Sequence, residues 1–225
     1  MEDYASKIAS IKGQIQQYKD EFAVLTDRIV GNDLEKDDFY FLAALDRAIH
    51  LIDGFLWMLE KRNITCAGAL LRLQIDNCLR VCAPYIAKNR EDVINTIIYE
   101  DKRLNRLPDD QGERMSDGRL KDRLAEKYPE VKSVYEKCSG FIHLSDIAFY
   151  QTVNKMDQDG ISLSVGGELP ARYNDTLISL AQAYLHFCKI FVELLLPVAE
   201  AKENLEKMLD ERDFNYKSEG QGIKP

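Results

Sequence analysis

The stretch from Ile64 to Ala83, ITCAGALLRLQIDNCLRVCA, is apolar on nearly every side of a helix. A helix with that pattern belongs in the middle of a molecule, with other helices packed around it. One ridge departs from the pattern. Arg72, Asp76 and Arg80 recur every four residues, which stacks them one turn apart and sets a carboxylate between two guanidiniums. Two readings of the ridge stay open: a self-paired structural network that seals a helix junction, or the charged wall of a polar cleft.

The flanking segments supply the partners for such a helix. Tyr4, Ile8, Ile11, Ile15, Tyr18, Phe22, Leu25 and Ile29 alternate steps of four and three, a narrow seam of coiled-coil type that ends at Gly31 and Asn32. The seam fits a helix of the same chain or a second copy equally well. A second helix, from about Asp38 to Lys61, carries Leu42, Leu45, Ile49, Ile52, Leu56 and Leu59 on one stripe. Asn63 or Thr65 caps the central helix, and Pro84 kinks or stops it. After a shorter helix from Glu91 to Tyr99, residues 101–119 have no apolar period and collect Pro, Gly, Asp and Arg, which predicts a mobile surface loop, a connector or a lid. Pro129 opens the next helix and Gly140 ends it.

Residues 149–165 read as a small β-hairpin covering one end of the bundle. Phe149, Gln151 and Val153 alternate, Asp157 to Gly160 turn, and Ile161, Leu163 and Val165 alternate again. The last helix begins near Asn174 and runs past Met208, bent at Pro197, with a seam from Leu180 through Tyr184, Phe187, Phe191, Leu194, Val198, Ala201 and Leu205. Its match to the first seam suggests that the terminal helices form an antiparallel pair. The expected fold is all-α: an up-and-down helical bundle with long N- and C-terminal helices and one small β-hairpin. It is a single domain over residues 1–212, followed by a flexible tail over 213–225.

Charge and cysteine usage exclude several function classes. A formal net charge of -8 and a pI near 5.1 do not suit a dedicated duplex-DNA binder, which presents a basic stripe to the phosphates. MEDYASK lacks the charged start and apolar core of a signal peptide, and no apolar run reaches the roughly 18 residues of a membrane span. The expected compartment is the cytoplasm, with no membrane partner. Five scattered cysteines and three histidines do not make a zinc pattern, so the cysteines read as reduced hydrophobes and no metal or cofactor is expected. His50, one turn from Asp46, and His186, on a wet stripe of the last helix, read as plain surface.

The run from Tyr135 to Ser145, YEKCSGFIHLS, is the second stretch able to carry chemistry. It sets the cation Lys137, the hydroxyls of Ser139 and Ser145, and His143 beside Phe141 and Ile142, which would hold the segment against the core. A central helix bearing Arg72 and Asp76, followed much later by Ser, two bulky residues, His and Ser, resembles the HEPN superfamily of helical proteins, many of them from bacterial abortive-infection and toxin systems. The resemblance covers roughly residues 35 to 200. It implies a four- to five-helix up-and-down bundle, often dimeric, whose active members cleave RNA without a metal using an arginine, four to six intervening residues and a histidine. Here Lys137 stands where that arginine should, and lysine supplies the charge without the guanidinium fork. The resemblance therefore implies a binding or regulatory module of a defence or toxin–antitoxin type system, acting as a homodimer on an RNA or protein partner. Its alternative is a metal-independent ribonuclease with His143 as base, Lys137 or Arg72 as phosphate clamp, and Asp76 and Ser139 in support.

Overall fold

A computed structural model gives the fold over residues 3–99, 104–143, 149–150, 152–157, 160–163 and 165–219. Among these residues seven α-helices follow one another: α1 (Tyr4–Val30), α2 (Lys36–Glu60), α3 (Ile64–Ile86), α4 (Arg90–Ile98), α5 (Asp117–Lys127), α6 (Glu130–Ile142) and α7 (Asn174–Glu219). Two short strands, β1 (Val153–Asp157) and β2 (Gly160–Leu163), pair antiparallel between α6 and α7. The chain is an all-α helical bundle.

Helix α3 is central because it has apolar residues all round. Ala67, Leu71, Ile75, Cys78, Leu79 and Val81 are buried on different sides, and α2, α4, α5, α6 and α7 all pack against it. Its start is fixed by Asn63, whose side chain accepts the Cys66 N–H at 2.9 Å. Pro84 does not stop the helix, which continues to Ile86. A proline inside a helix removes the donor for the carbonyl four residues back. That carbonyl, of Arg80, instead accepts the hydroxyl of buried Tyr40 at 2.6 Å. Near the corresponding break in α7, at Pro197, the Tyr85 hydroxyl donates to the Leu194 carbonyl at 2.6 Å.

The terminal helices do pair, but they run parallel. Phe22 meets Phe191, with ring centroids 5.3 Å apart, and further along both helices Arg28 meets Glu203 at 2.6 Å. The expected antiparallel pair is corrected by counting passes through the bundle. Helix α2 reverses α1, as Lys12 pairs with Glu60 and Lys19 with Asp53. Helix α3 reverses α2, since Asn77 donates to the Ala44 carbonyl while Tyr40 reaches Arg80. Helix α6 reverses α3, because Tyr135 lies on Arg72 and Phe141 on Gly68. Helix α7 is the fifth pass and returns to the direction of the first.

The α7 seam is buried from Leu180 through Val198 and then gives out, with Leu205 45% and Met208 68% exposed. Helix α1 has ended by that level: the Asn32 N–H donates to Glu206 at 2.5 Å. Lys202 takes the inner position instead, 7% exposed, with its ammonium on the Asp38 carboxylate at 2.6 Å and on the Asp33 carbonyl. The helix continues through Glu219, into the segment read from sequence as a tail from 213. The stretch Ala171–Leu209, which takes in the turn before α7 and most of that helix, is long and apolar enough to meet the membrane-span criterion that no run was expected to reach. Its best 18-residue window has a mean hydropathy of 1.3 and is half buried.

Two local expectations are corrected. The hairpin is shorter than residues 149–165: Phe149, Tyr150 and Thr152 are helical, and pairing runs from Val153 to Leu163 with an irregularity between Val153 and Lys155. Gln151 and turn residues 158–159 lie outside the described residues. The hairpin is tied to the start of α7, where Arg172 donates to the Val153 carbonyl at 2.5 Å and Tyr173 to the Tyr150 carbonyl at 2.7 Å. Every residue of β2 is exposed.

The mobile loop of 101–119, whose residues 101–103 lie outside the described ones, is instead folded around a carboxylate. Asp109 is wholly buried, and its Oδ1 accepts the backbone N–H groups of Gln111 and Glu113 at 3.0 and 2.8 Å. Its Oδ2 accepts from Arg119 at 2.7 Å and Arg123 at 3.1 Å. Leu104 and Met115 are buried on either side, and Ser116 caps α5.

Candidate functional site

The charged ridge of α3 points at α5 and α6. Arg72 is 7% exposed and pairs through Nη1 with Asp76 one turn on. Its guanidinium carbon lies 3.5 Å from the centroid of the Tyr135 ring on α6, a cation–π contact in a desolvated setting. Lys121 of α5 approaches the same ring at 5.5 Å. Burial raises the Tyr135 pKa, and the Arg72 charge works against that rise. Arg80 does not share Asp76: it turns to Asp117 at the start of α5, at 2.5 Å. The ridge thus joins three helices, and its first guanidinium is enclosed between a carboxylate and an aromatic face.

The remaining candidates lie along α6. Gly68 lets this helix approach α3 closely, since a Cβ there would fall 2.3 Å from the Phe141 ring. Phe141 is held against the core as expected, whereas Ile142 is 50% exposed. Ser139 gives its hydroxyl to the Tyr135 carbonyl at 2.9 Å, closing a turn of its own helix. Lys137 is exposed on the outer side. His143 is the exposed C-terminal cap, its N–H on the Ser139 carbonyl at 3.3 Å. It stands eight residues beyond Tyr135, roughly 12 Å along the helix at 1.5 Å per residue. Six residues of helix turn through about 600°, so Lys137 and His143 project about 120° apart around α6. Arg72 and Asp76 are therefore together, Ser139 lies one turn beyond Tyr135 on α6, and Lys137 and His143 are exposed on different sides of that helix. Ser145 lies outside the described residues.

Several polar pairs escaped the sequence reading. The buried Lys202 and Asp38 join α7 to the start of α2, where Asp38 also accepts the Glu35 N–H at 2.8 Å. His186 bonds Glu130 at 2.5 Å, bridging α7 to α6, and both side chains are about two-fifths exposed. Burial acts to raise the Glu130 pKa and the His186 hydrogen bond overcomes it, leaving the pKa lowered. Beside this pair a groove of about 400 Å³ opens between α1 and α7, lined by Gln14, Tyr18, Glu21, Gln182, His186 and Lys189. By contrast His50, 3.6 Å from Asp46 with both side chains three-quarters exposed, forms a surface pair.

Burial holds the thiols in their neutral form. It pushes Cys82 up to about 11 and Cys138 to about 12. Such groups pack as small hydrophobes and are poor nucleophiles at neutral pH. Cys66 is exposed. Among the described residues no group of three or more His, Cys, Asp or Glu side chains is placed to hold a metal ion.

The fold and the ridge together define a helical bundle with a charged junction between α3, α5 and α6. Compared with known proteins, the chain matches no family model, no curated protein and no solved structure.

Proposed function

We propose that this protein is a HEPN-like binding or regulatory module of a bacterial defence or toxin–antitoxin type system, working as a homodimer in the cytoplasm without cleaving RNA itself. The observation that carries the non-catalytic reading is the commitment of Arg72. Cleavage through a 2'-hydroxyl needs a base and a donor fork aimed at one phosphate. Arg72 is paired through Nη1 with Asp76 and covered by Tyr135, while His143 stands exposed at the far end of α6. Lys137, the other cation considered, projects to a different side of the helix from His143. A five-pass up-and-down bundle supports the resemblance at the level of fold, and the acidic surface suits a protein partner better than a polyanion.

The test is incubation of the purified chain with structured and unstructured RNA, with and without the His143→Ala change. No cleavage by wild type, and the same melting temperature for both proteins, is the expected result. Metal-independent cleavage that disappears in His143→Ala at unchanged melting temperature would overturn the non-catalytic reading in favour of a ribonuclease.

A further inference from the structure

We propose that β2 (Gly160–Leu163) is the surface on which two copies of this chain meet, each β2 pairing antiparallel with the other about a two-fold axis so that two hairpins become one four-stranded sheet. The proposal rests on the homodimer reading above and names the contact.

A two-stranded hairpin is marginal by itself and is stabilised by a third strand or a covering layer. Among the described residues this one has no third strand, and its cover is one-sided: Val153 of β1 is buried and held by Arg172, whereas all of β2 is exposed with β1 as its sole strand neighbour. Exposed strand edges are ordinarily blunted by charge, proline or an irregularity. The irregularity lies in β1, between Val153 and Lys155, which leaves β2 as the regular edge. The eight residues from Gly160 to Gly167, GISLSVGG, contain no charged residue and no proline.

Charge and area favour a second copy as the occupant. Each chain carries a net charge of -8, so two copies associate best through a segment where no like charges face each other. The uncharged run around β2 meets that requirement. Its apolar side chains are solvated: Ile161 is 58%, Leu163 61% and Val165 86% exposed, and the adjoining Phe149 and Tyr150 are 55% and 61% exposed. Those five surfaces come to roughly 600 Å² per chain, or about 1,200 Å² for a symmetric pair, the lower bound for a specific interface. Antiparallel pairing of β2 with itself is isologous, so it closes at two copies.

The test uses the full chain. Light scattering at micromolar concentration is expected to return twice 25.8 kDa, about 52 kDa, for wild type and 25.8 kDa for Ile161→Lys/Leu163→Lys, which still unfolds cooperatively because both side chains face solvent in the single chain, with a melting temperature that no longer rises with protein concentration. A Ser162→Cys change in a Cys66→Ser background is expected to oxidise to a covalent dimer, while Val24→Cys on the exposed side of α1 does not. A wild-type dimer that survives the double lysine change would overturn the β2 contact and leave the homodimer reading standing, as would equal cross-linking at Val24. A wild-type mass of 25.8 kDa would overturn both.

Discussion

The Tyr40 hydroxyl replaces a hydrogen bond that α3 lacks, and its removal measures the cost of the proline. Pro84 has no N–H for the Arg80 carbonyl, and Tyr40, 6% exposed, donates to that oxygen from α2 at 2.6 Å. In Tyr40→Phe the ring still packs, but the carbonyl loses this partner. Leaving such a group unsatisfied costs about 1–3 kcal/mol. At about 2–4 °C per kcal/mol for a chain of this size, the melting temperature should fall by roughly 2 to 12 °C. Pro84→Ala restores a backbone N–H to the same oxygen. In that background Tyr40→Phe should cost less, by an interaction energy of about 1 kcal/mol, read from urea denaturation of all four proteins in a double-mutant cycle. An equal loss in both backgrounds would refute the link between Tyr40 and the proline, and a loss below about 0.5 kcal/mol would refute the burial argument itself.

Arg72→Ala strands Asp76 and uncovers Tyr135, so it should destabilise the fold by about 3–5 kcal/mol, whereas His143→Ala should stay within about 0.5 kcal/mol. Equal losses in chemical denaturation would contradict the exposed placement of His143. Asp109 gives a pH signature. Burial alone would raise its pKa, but the Arg119 hydrogen bond and the backbone N–H groups reverse this and leave it lowered. A depressed folded pKa contributes stability above the unfolded value near pH 4 and loses it as pH falls through the folded value. The stability gap between wild type and Asp109→Asn should therefore be largest near pH 7 and shrink below about pH 4, and a gap that stays constant down to about pH 2.5 would remove Asp109 from the acid response.

The elements legible in the sequence were those that bury apolar residues at a helical period. Helix α3 is legible from apolar residues on nearly every side, broken by one charged ridge, and α1 from its seam, of which Ile11, Ile15, Phe22, Leu25 and Ile29 are buried. Direction was not legible from the seams, because a four-three pattern packs equally well against a parallel or an antiparallel neighbour. Counting five spanning helices would have settled it. The buried charges were missed for a different reason. Periodicity assigns Lys and Asp to the outside, yet Lys202 takes an inner position of α7 once the apolar seam gives out beyond Val198. The connector around Asp109 showed no apolar period because much of what it buries is polar. The available signal is a run that holds Asp109, Arg119 and Arg123 within fifteen residues, across the boundary between the connector and α5.

The site was the least legible part, since a linear motif fixes spacing and leaves angle and company unstated. Between Lys137 and His143 the spacing of six fits the resemblance, but on α6 it separates the two side chains by about a third of a turn. A base and a cation so placed converge on one phosphate only if the cation comes from another element or another chain. Arg72 is the candidate from another element, and releasing it means uncovering Tyr135 and leaving Asp76 half-buried without its partner. Breaking such a pair costs about as much as a bound substrate gains from one charge-assisted contact or more. Arg72 and Asp76, two of the residues the ribonuclease alternative draws on, form with Tyr135 a junction that holds α3 to α6. Among the described residues, Ile142 and His143 at the end of α6 and all of β2 stay exposed.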